Sequence, residues 1–122
     1  MSGRRNRVLL VGDEYVLMSD IARILRRCDF DVAGPITFSA TEAFLREAAP
    51  VDGVVIDVNL HQPQLEPLAM HLRAQGVPML FVAPLGIARV PPALADVPVW
   101  GDAFDHESIT PHLEALIAQG GR

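Results

Sequence analysis

The chain has 122 residues, half of them apolar, and a formal net charge of −5. That length holds one domain, which buries roughly two thirds of its unfolded surface without needing a crosslink. The acidic balance disfavours direct nucleic-acid binding, which rests on neutralising phosphates. The lone Cys28 excludes an internal disulfide and points to a reducing, cytoplasmic setting. No apolar run approaches the roughly 20 residues of a membrane span. The run Val8 to Val11 that follows the basic N-terminus is too short for a secretory leader. All ten basic residues are arginine; there is no lysine.

Arg7 to Gly12 (RVLLVG) reads as a buried strand. Tyr15 to Cys28 repeats apolar residues at Leu17, Ile21, Ile24, Leu25 and Cys28, the spacing of a helix face. Asp31 to Gly34 is a short second strand. Ser39-Ala-Thr-Glu42 has the form of a capping box and opens a helix through Ala43, Phe44 and Ala48, closed by Pro50. Gly53 to Val58 (GVVIDV) is a third strand. Leu65, Leu68, Ala69 and Leu72 mark a third helix that ends near Gly76, and Pro78 to Ala83 (PMLFVA) is a fourth strand. In Pro84 to Val97, Ile87, Val90 and Leu94 have helical spacing, but Pro91 and Pro92 interrupt it, so a short or irregular fourth helix is expected. Pro98 to Trp100 is a brief fifth strand. Asp105 can cap a last helix with Ile109, Leu113, Leu116 and Ile117 inside and Gly120 and Gly121 at its end.

Strands alternating with helices require right-handed crossovers and a parallel sheet covered on both faces. Five such units predict an α/β fold, a (βα)5 flavodoxin-like three-layer sandwich with strand order 2-1-3-4-5, occupying residues 1–122 as a single domain. Ligands of such sheets bind beyond the carboxyl ends of the strands where the order reverses, here between strands one and three. The residues there are Gly12-Asp13-Glu14 and Asp57-Val58-Asn59. These loops are acidic and poor in glycine, the opposite of a phosphate-cradling turn. Converging carboxylates repel one another and favour a hard cation such as Mg²⁺.

The segments Val8 to Glu14, Val54 to Leu60, Pro78 to Ala83 and Val97 to Asp105 together resemble the receiver domains of two-component response regulators, in order and with matching spacing over nearly the whole chain. The resemblance implies that Asp57 accepts a phosphoryl group from a histidine of a sensor kinase or phosphotransfer protein. It implies that Asp13, Asp57 and the backbone carbonyl of Asn59 hold Mg²⁺, which offsets the repulsion between anionic nucleophile and phosphoryl group. It also implies that the fourth helix, fifth strand and fifth helix form a face for homodimers or partners.

The sequence departs from that family at three places. The first of two acidic residues after strand one is Gly12. The hydroxyl residue at the end of strand four is Ala83, and no Ser or Thr occurs between Gly76 and Glu107. The lysine after strand five matches Asp102, and no realignment can restore it to a chain without lysine. Arg89, in the segment after strand four, is a candidate replacement charge. His61, His71, His106 and His112 show no metal-ligand grouping and read as surface or capping residues; Trp100, Met18, Met70 and Met79 read as packing residues.

Three functions compete. The first is a phosphorelay receiver with an impaired or altered switch. The second is a pseudo-receiver, a protein-binding module whose output is independent of phosphorylation. The third, ranked last, is a small Mg²⁺-dependent phosphohydrolase working through an aspartyl-phosphate. The chain stops soon after its last helix, so no output domain is expected.

Overall fold

The computed structural model describes residues 6–47, 50–58, 62–83, 89–101 and 109–120. Five parallel strands, β1 (Arg7–Val11), β2 (Asp31–Ile36), β3 (Gly53–Asp57), β4 (Met79–Val82) and β5 (Val99–Trp100), form one sheet in the order β2-β1-β3-β4-β5. The helices are α1 (Tyr15–Arg27), α2 (Phe38–Glu47), α3 (Leu65–Ala74) and α4 (Ile109–Gly120). This is the expected fold and strand order.

Parallel strands covered on both faces must be apolar throughout rather than alternating. β1 and β3 meet that demand: Val8, Leu9, Leu10, Val11, Val54, Val55 and Ile56 are fully inaccessible. Side chains of successive strand residues point to opposite faces, so the sheet divides two cores. One packs Val8, Leu10, Val55, Leu80 and Val82 against Met18, Ile21 and Leu25 of α1 and Ile109 and Leu113 of α4. The other packs Leu9, Val11, Val54, Ile56 and Phe81 against Phe38 of α2 and Leu65, Ala69 and Leu72 of α3. A side chain such as Leu9 gains about 1.5–3 kcal/mol from full burial.

The local readings hold with shifts of phase. In α1 the buried stripe is Met18, Ile21, Ala22, Ile24 and Leu25, so Leu17 lies at its margin and Cys28 is exposed beyond the helix. Helix α2 begins one residue before the expected capping box. The cap is Thr37, whose hydroxyl accepts from the Ala40 N–H at 3.2 Å, and Ser39 lies inside the first turn. Buried positions there are Phe38 and Thr41, with Phe44 partly covered and Ala43 exposed. Met18, Met79 and Trp100 are core residues as expected, but Met70 is 44% exposed on the outer side of α3. His71 and His112 are on the surface.

β2 runs past its expected end at Gly34 to Ile36. Between Leu9, opposite Ala33, and Val11, opposite Ile36, it carries an extra residue, a bulge at Gly34-Pro35. Gly34 sits at φ +96°, and a Cβ there would lie 2.7 Å from the Leu10 carbonyl oxygen, so only glycine serves. Beyond the bulge, the Gly12 N–H bonds to Ile36 O at 2.9 Å, which fixes the backbone just past β1.

Over its described part, the expected short or irregular fourth helix is reduced to one turn. Residues 89–91 are irregular, and a single 3-10 turn, Pro92–Leu94, carries Leu94 into the core. Pro91 and Pro92 remove the amide donors that a longer helix needs. Arg73 Nη2 donates to both carboxylate oxygens of Asp96, at 2.9 and 3.0 Å, and ties the end of α3 to the segment before β5. Asp105, the expected cap of the last helix, and the helix-closing Gly121 lie outside the described residues.

Candidate functional site

β1 and β3 pair in register, with Val11 opposite Ile56, so the residues one step further, Gly12 and Asp57, stand side by side at the carboxyl edge of the sheet. Asp57 is the last residue of β3 and is flanked on its other side by Val82 of β4. Strand alternation gives Asp57 the same face as Val55, the α1 and α4 side. It is 7% exposed and is the one buried charged side chain among the described residues. Burying a carboxylate costs several kcal/mol unless it is partnered, so its burial at a strand end requires a compensating function or contact.

Gly12 shapes this position directly. A Cβ built on Gly12 would lie 2.8 Å from Asp57 Cβ and 3.0 Å from Met18 Cγ. The chain past β1 therefore approaches Asp57 more closely than any residue with a side chain permits. The missing first acid is a packing feature of this site as well as a lost charge.

Asp13, the next residue, is exposed, and its carboxylate is held from two sides. Oδ1 accepts from the Phe38 backbone N–H at 3.2 Å, and Oδ2 accepts from Gln62 Nε2 at 3.0 Å. Phe38 opens α2, where unsatisfied N–H groups favour a carboxylate. Asp13 therefore anchors the start of α2 and the segment before α3 while standing one residue from the neighbour of Asp57.

Two carboxylates and water suit a hard cation at ~2.0–2.1 Å. Asp57 and Asp13 supply that minimum. With glycine at position 12 the set has one oxygen fewer, and among the described residues no group of three or more His, Cys, Asp or Glu side chains comes together. Were Mg²⁺ held at this edge, Asp57 and Asp13 would leave most of its positions to water. The third expected ligand, Asn59, lies outside the described residues, as does Asp102.

The ends of β4 and β5 differ in character. Ala83 follows β4, is 2% exposed and packs in the apolar core on the α2 and α3 side, and its N–H bonds to Trp100 O at 3.0 Å. Position 83 itself offers no polar side chain. Arg89 begins the next described segment. Its backbone N–H donates to the carbonyl oxygen of Val58 at 2.7 Å, while its side chain is exposed. The segment after β4 is thereby fastened to the residue immediately after Asp57.

The structure thus sets Gly12 beside Asp57, with Asp13 the next residue along the chain, Ala83 one strand away and Arg89 tied to Val58. Sequence reading did not find Gln62 and the Phe38 amide as partners of Asp13, or Met18 packed beneath Gly12. Recognising Thr37 as the cap of α2 would have pointed to the Phe38 amide; nothing in the sequence signals Gln62. A separate cleft of about 650 Å³, lined by Glu42, Arg46, Asp52, His71 and Ile117 among others, opens at the opposite edge of the sheet, away from Asp57.

No family model and no curated relative matches the chain. Solved structures do. The fold is similar to a response regulator receiver protein from Sinorhizobium medicae (TM-score 0.74, 20% identity, covering 98% of this chain and 99% of that one). It is also similar to a CheY-like receiver domain from Methanospirillum hungatei (0.77, 15%, 97% and 98%) and to SdrG from Sphingomonas melonis (0.72, 23%, 97% and 99%). At such identities the likeness establishes a receiver fold over nearly the full chain.

Proposed function

We propose that this chain is a receiver domain of two-component signalling that accepts a phosphoryl group on Asp57 and reads it out through an altered switch. The observation that carries the reading is the burial of Asp57 where β1 and β3 diverge in a receiver fold. A buried carboxylate at the switch point of an open parallel sheet supports reading it as a nucleophile toward a ligand arriving at that edge.

In the proposed step a carboxylate oxygen of Asp57 attacks the phosphorus of a phosphohistidine on a sensor kinase or phosphotransfer protein. The P–O bond forms as the P–N bond breaks, and the departing imidazole takes up a proton. Asp57, Asp13 and the Asn59 carbonyl would hold Mg²⁺, which supplies the charge neutralisation that lets two anions meet. Asp13 stays in place through its bonds to the Phe38 amide and Gln62, so the acidic edge is set before the phosphodonor arrives.

Phosphoryl transfer to Asp57 makes the domain a substrate of a partner's chemistry rather than an enzyme in its own right. A half-exposed Val99 on β5 marks the face proposed for a homodimer or partner. No described helix is long and apolar enough to cross a membrane.

A second reading, the phosphorylation-independent binding module, draws support from Ala83, where the apolar end of β4 offers no hydroxyl to a phosphoryl group. Incubation of the full chain with acetyl phosphate and Mg²⁺, followed by intact-mass measurement, separates the two. Gain of one phosphoryl group, abolished in Asp57→Asn, supports the receiver. An unchanged mass removes it in favour of the binding module, and steady release of inorganic phosphate from phosphomonoesters revives the phosphohydrolase.

A further inference from the structure

A phosphoryl group on Asp57 brings two negative charges to a site already containing Asp13, and the chain has no lysine to meet them. Beside a metal ion, the permanently charged side chain able to meet them is an arginine, and the fold selects among the described ones. In a parallel αβ sheet the helices run back from the carboxyl edge, so helix C-termini lie at the opposite edge. Arg26 and Arg27 are in the last turn of α1, Arg46 in the last turn of α2 and Arg73 in the last turn of α3. Arg23, on α1, pairs with Asp20 at 3.1 Å, Arg46 with Glu42 at 4.0 Å, and Arg73 with Asp96. Arg7 opens β1, also at the far edge. Among the described residues, Arg89 is the one arginine in a segment that follows a strand, on the edge where Asp57 lies.

Its attachment makes the placement specific. The Arg89 N–H bonds to Val58 O at 2.7 Å, so its backbone runs beside the residue next to Asp57 at about the 4.8 Å spacing of bonded strands. An arginine side chain is longer than that gap. The guanidinium is exposed, and no acidic side chain among the described residues forms an ion pair with it.

We propose that Arg89 is the phosphoryl-binding cation of this domain, and that it takes over two tasks at once. Its guanidinium meets the phosphoryl oxygens in place of a lysine after β5, with a planar fork suited to bidentate pairing. Because Arg89 belongs to the segment after β4, that contact also couples this segment to the state of Asp57, in place of a hydroxyl at Ala83. A ligand shifts an equilibrium only through contacts that differ between its states, and the Arg89–phosphoryl contact is such a difference.

The inference rests on the reading of Asp57 as acceptor, and two measurements keep the two apart. Beryllofluoride with Mg²⁺ is titrated onto the full chain and followed by amide NMR, and acetyl phosphate labelling is followed by mass. The wild type is expected to show shifts at Val58 and Arg89 and to gain one phosphoryl group. Arg89→Gln should bind beryllofluoride about tenfold more weakly or worse, the loss of one charge-assisted hydrogen bond, with the shifts after β4 reduced. Arg89→Lys should recover part of the affinity. Since the side chain is exposed and the amide is retained, both variants should melt as the wild type does. Equal affinity in wild type and Arg89→Gln overturns the assignment of Arg89 and leaves Asp57 as acceptor. Failure of the wild type to bind beryllofluoride and to gain mass overturns both.

Discussion

The carboxyl edge of the sheet has two regions that differ in kind. Around β1 and β3 it is polar and tightly held: Asp57 is buried, Asp13 accepts two hydrogen bonds, and Gly12 leaves no room for a Cβ beside Asp57. At the end of β4 it is apolar, with Ala83 in the core, and where the described chain resumes Arg89 is held to Val58 by a backbone bond. The first region carries the proposed acceptor. The second lacks the side chain that would ordinarily report it. Acceptance and response are separable physical problems: one needs a nucleophile and charge neutralisation, the other a contact that differs between states.

Substitutions can break or sharpen that contrast. The largest effect is expected from Asp57→Asn, which should abolish phosphoryl incorporation while the fold persists, as intact mass and circular dichroism would show. Gly12→Asp should not complete the acidic pair. Its Cβ would fall 2.8 Å from Asp57 Cβ and 3.0 Å from Met18 Cγ, so the variant should lose about 1–3 kcal/mol in urea unfolding without binding Mg²⁺ more tightly. A stable variant with raised Mg²⁺ affinity would show that the close approach is not what excludes the acid.

Asp13→Asn should weaken Mg²⁺ binding about tenfold by calorimetry, because one of two anionic ligands is gone. It should change unfolding free energy little, since the amide oxygen still accepts from the Phe38 N–H. Ala83→Thr places a hydroxyl in an apolar core and should cost about 1 kcal/mol in the free protein. Part of that cost should return with beryllofluoride bound if the hydroxyl then gains a partner, which thermal melts with and without the ligand would reveal. The smallest effect belongs to Arg73→Ala. Its pair with Asp96 is exposed, so less than about 1 kcal/mol should be lost, and none of it should register at Asp57.

What the sequence made legible was whatever depends on composition and short-range pattern. β1, β3 and β4 announce themselves because strands buried on both faces must be apolar without interruption, and their order follows from the alternation with helices. Asp13 and Asp57 were found because that order fixes where the sheet opens. The misplacements have specific causes. Leu17 and Met18 are both apolar, and packing against the sheet buries Met18. Ser39 reads as the cap, but the chain turns into α2 earlier and Thr37 takes that role. β2 hid its length behind Gly34-Pro35, a pair that reads as a break but forms a bulge. The approach of Gly12 to Asp57 and the bond from Arg89 to Val58 join residues 45 and 31 positions apart, and no local pattern encodes them.

The Arg89–Val58 bond has a further use because the peptide group, not the side chain, makes it. Every residue except proline can supply that N–H, so the tether is silent in the identity of residue 89 and no comparison of sequences would mark it. It is nonetheless visible to solvent exchange. The Arg89 amide, held by Val58 although it belongs to a surface segment, should exchange its hydrogen more slowly than its exposed setting implies. That single protection factor becomes a direct gauge of how firmly the end of β3 grips the chain beyond β4, with no reliance on the guanidinium.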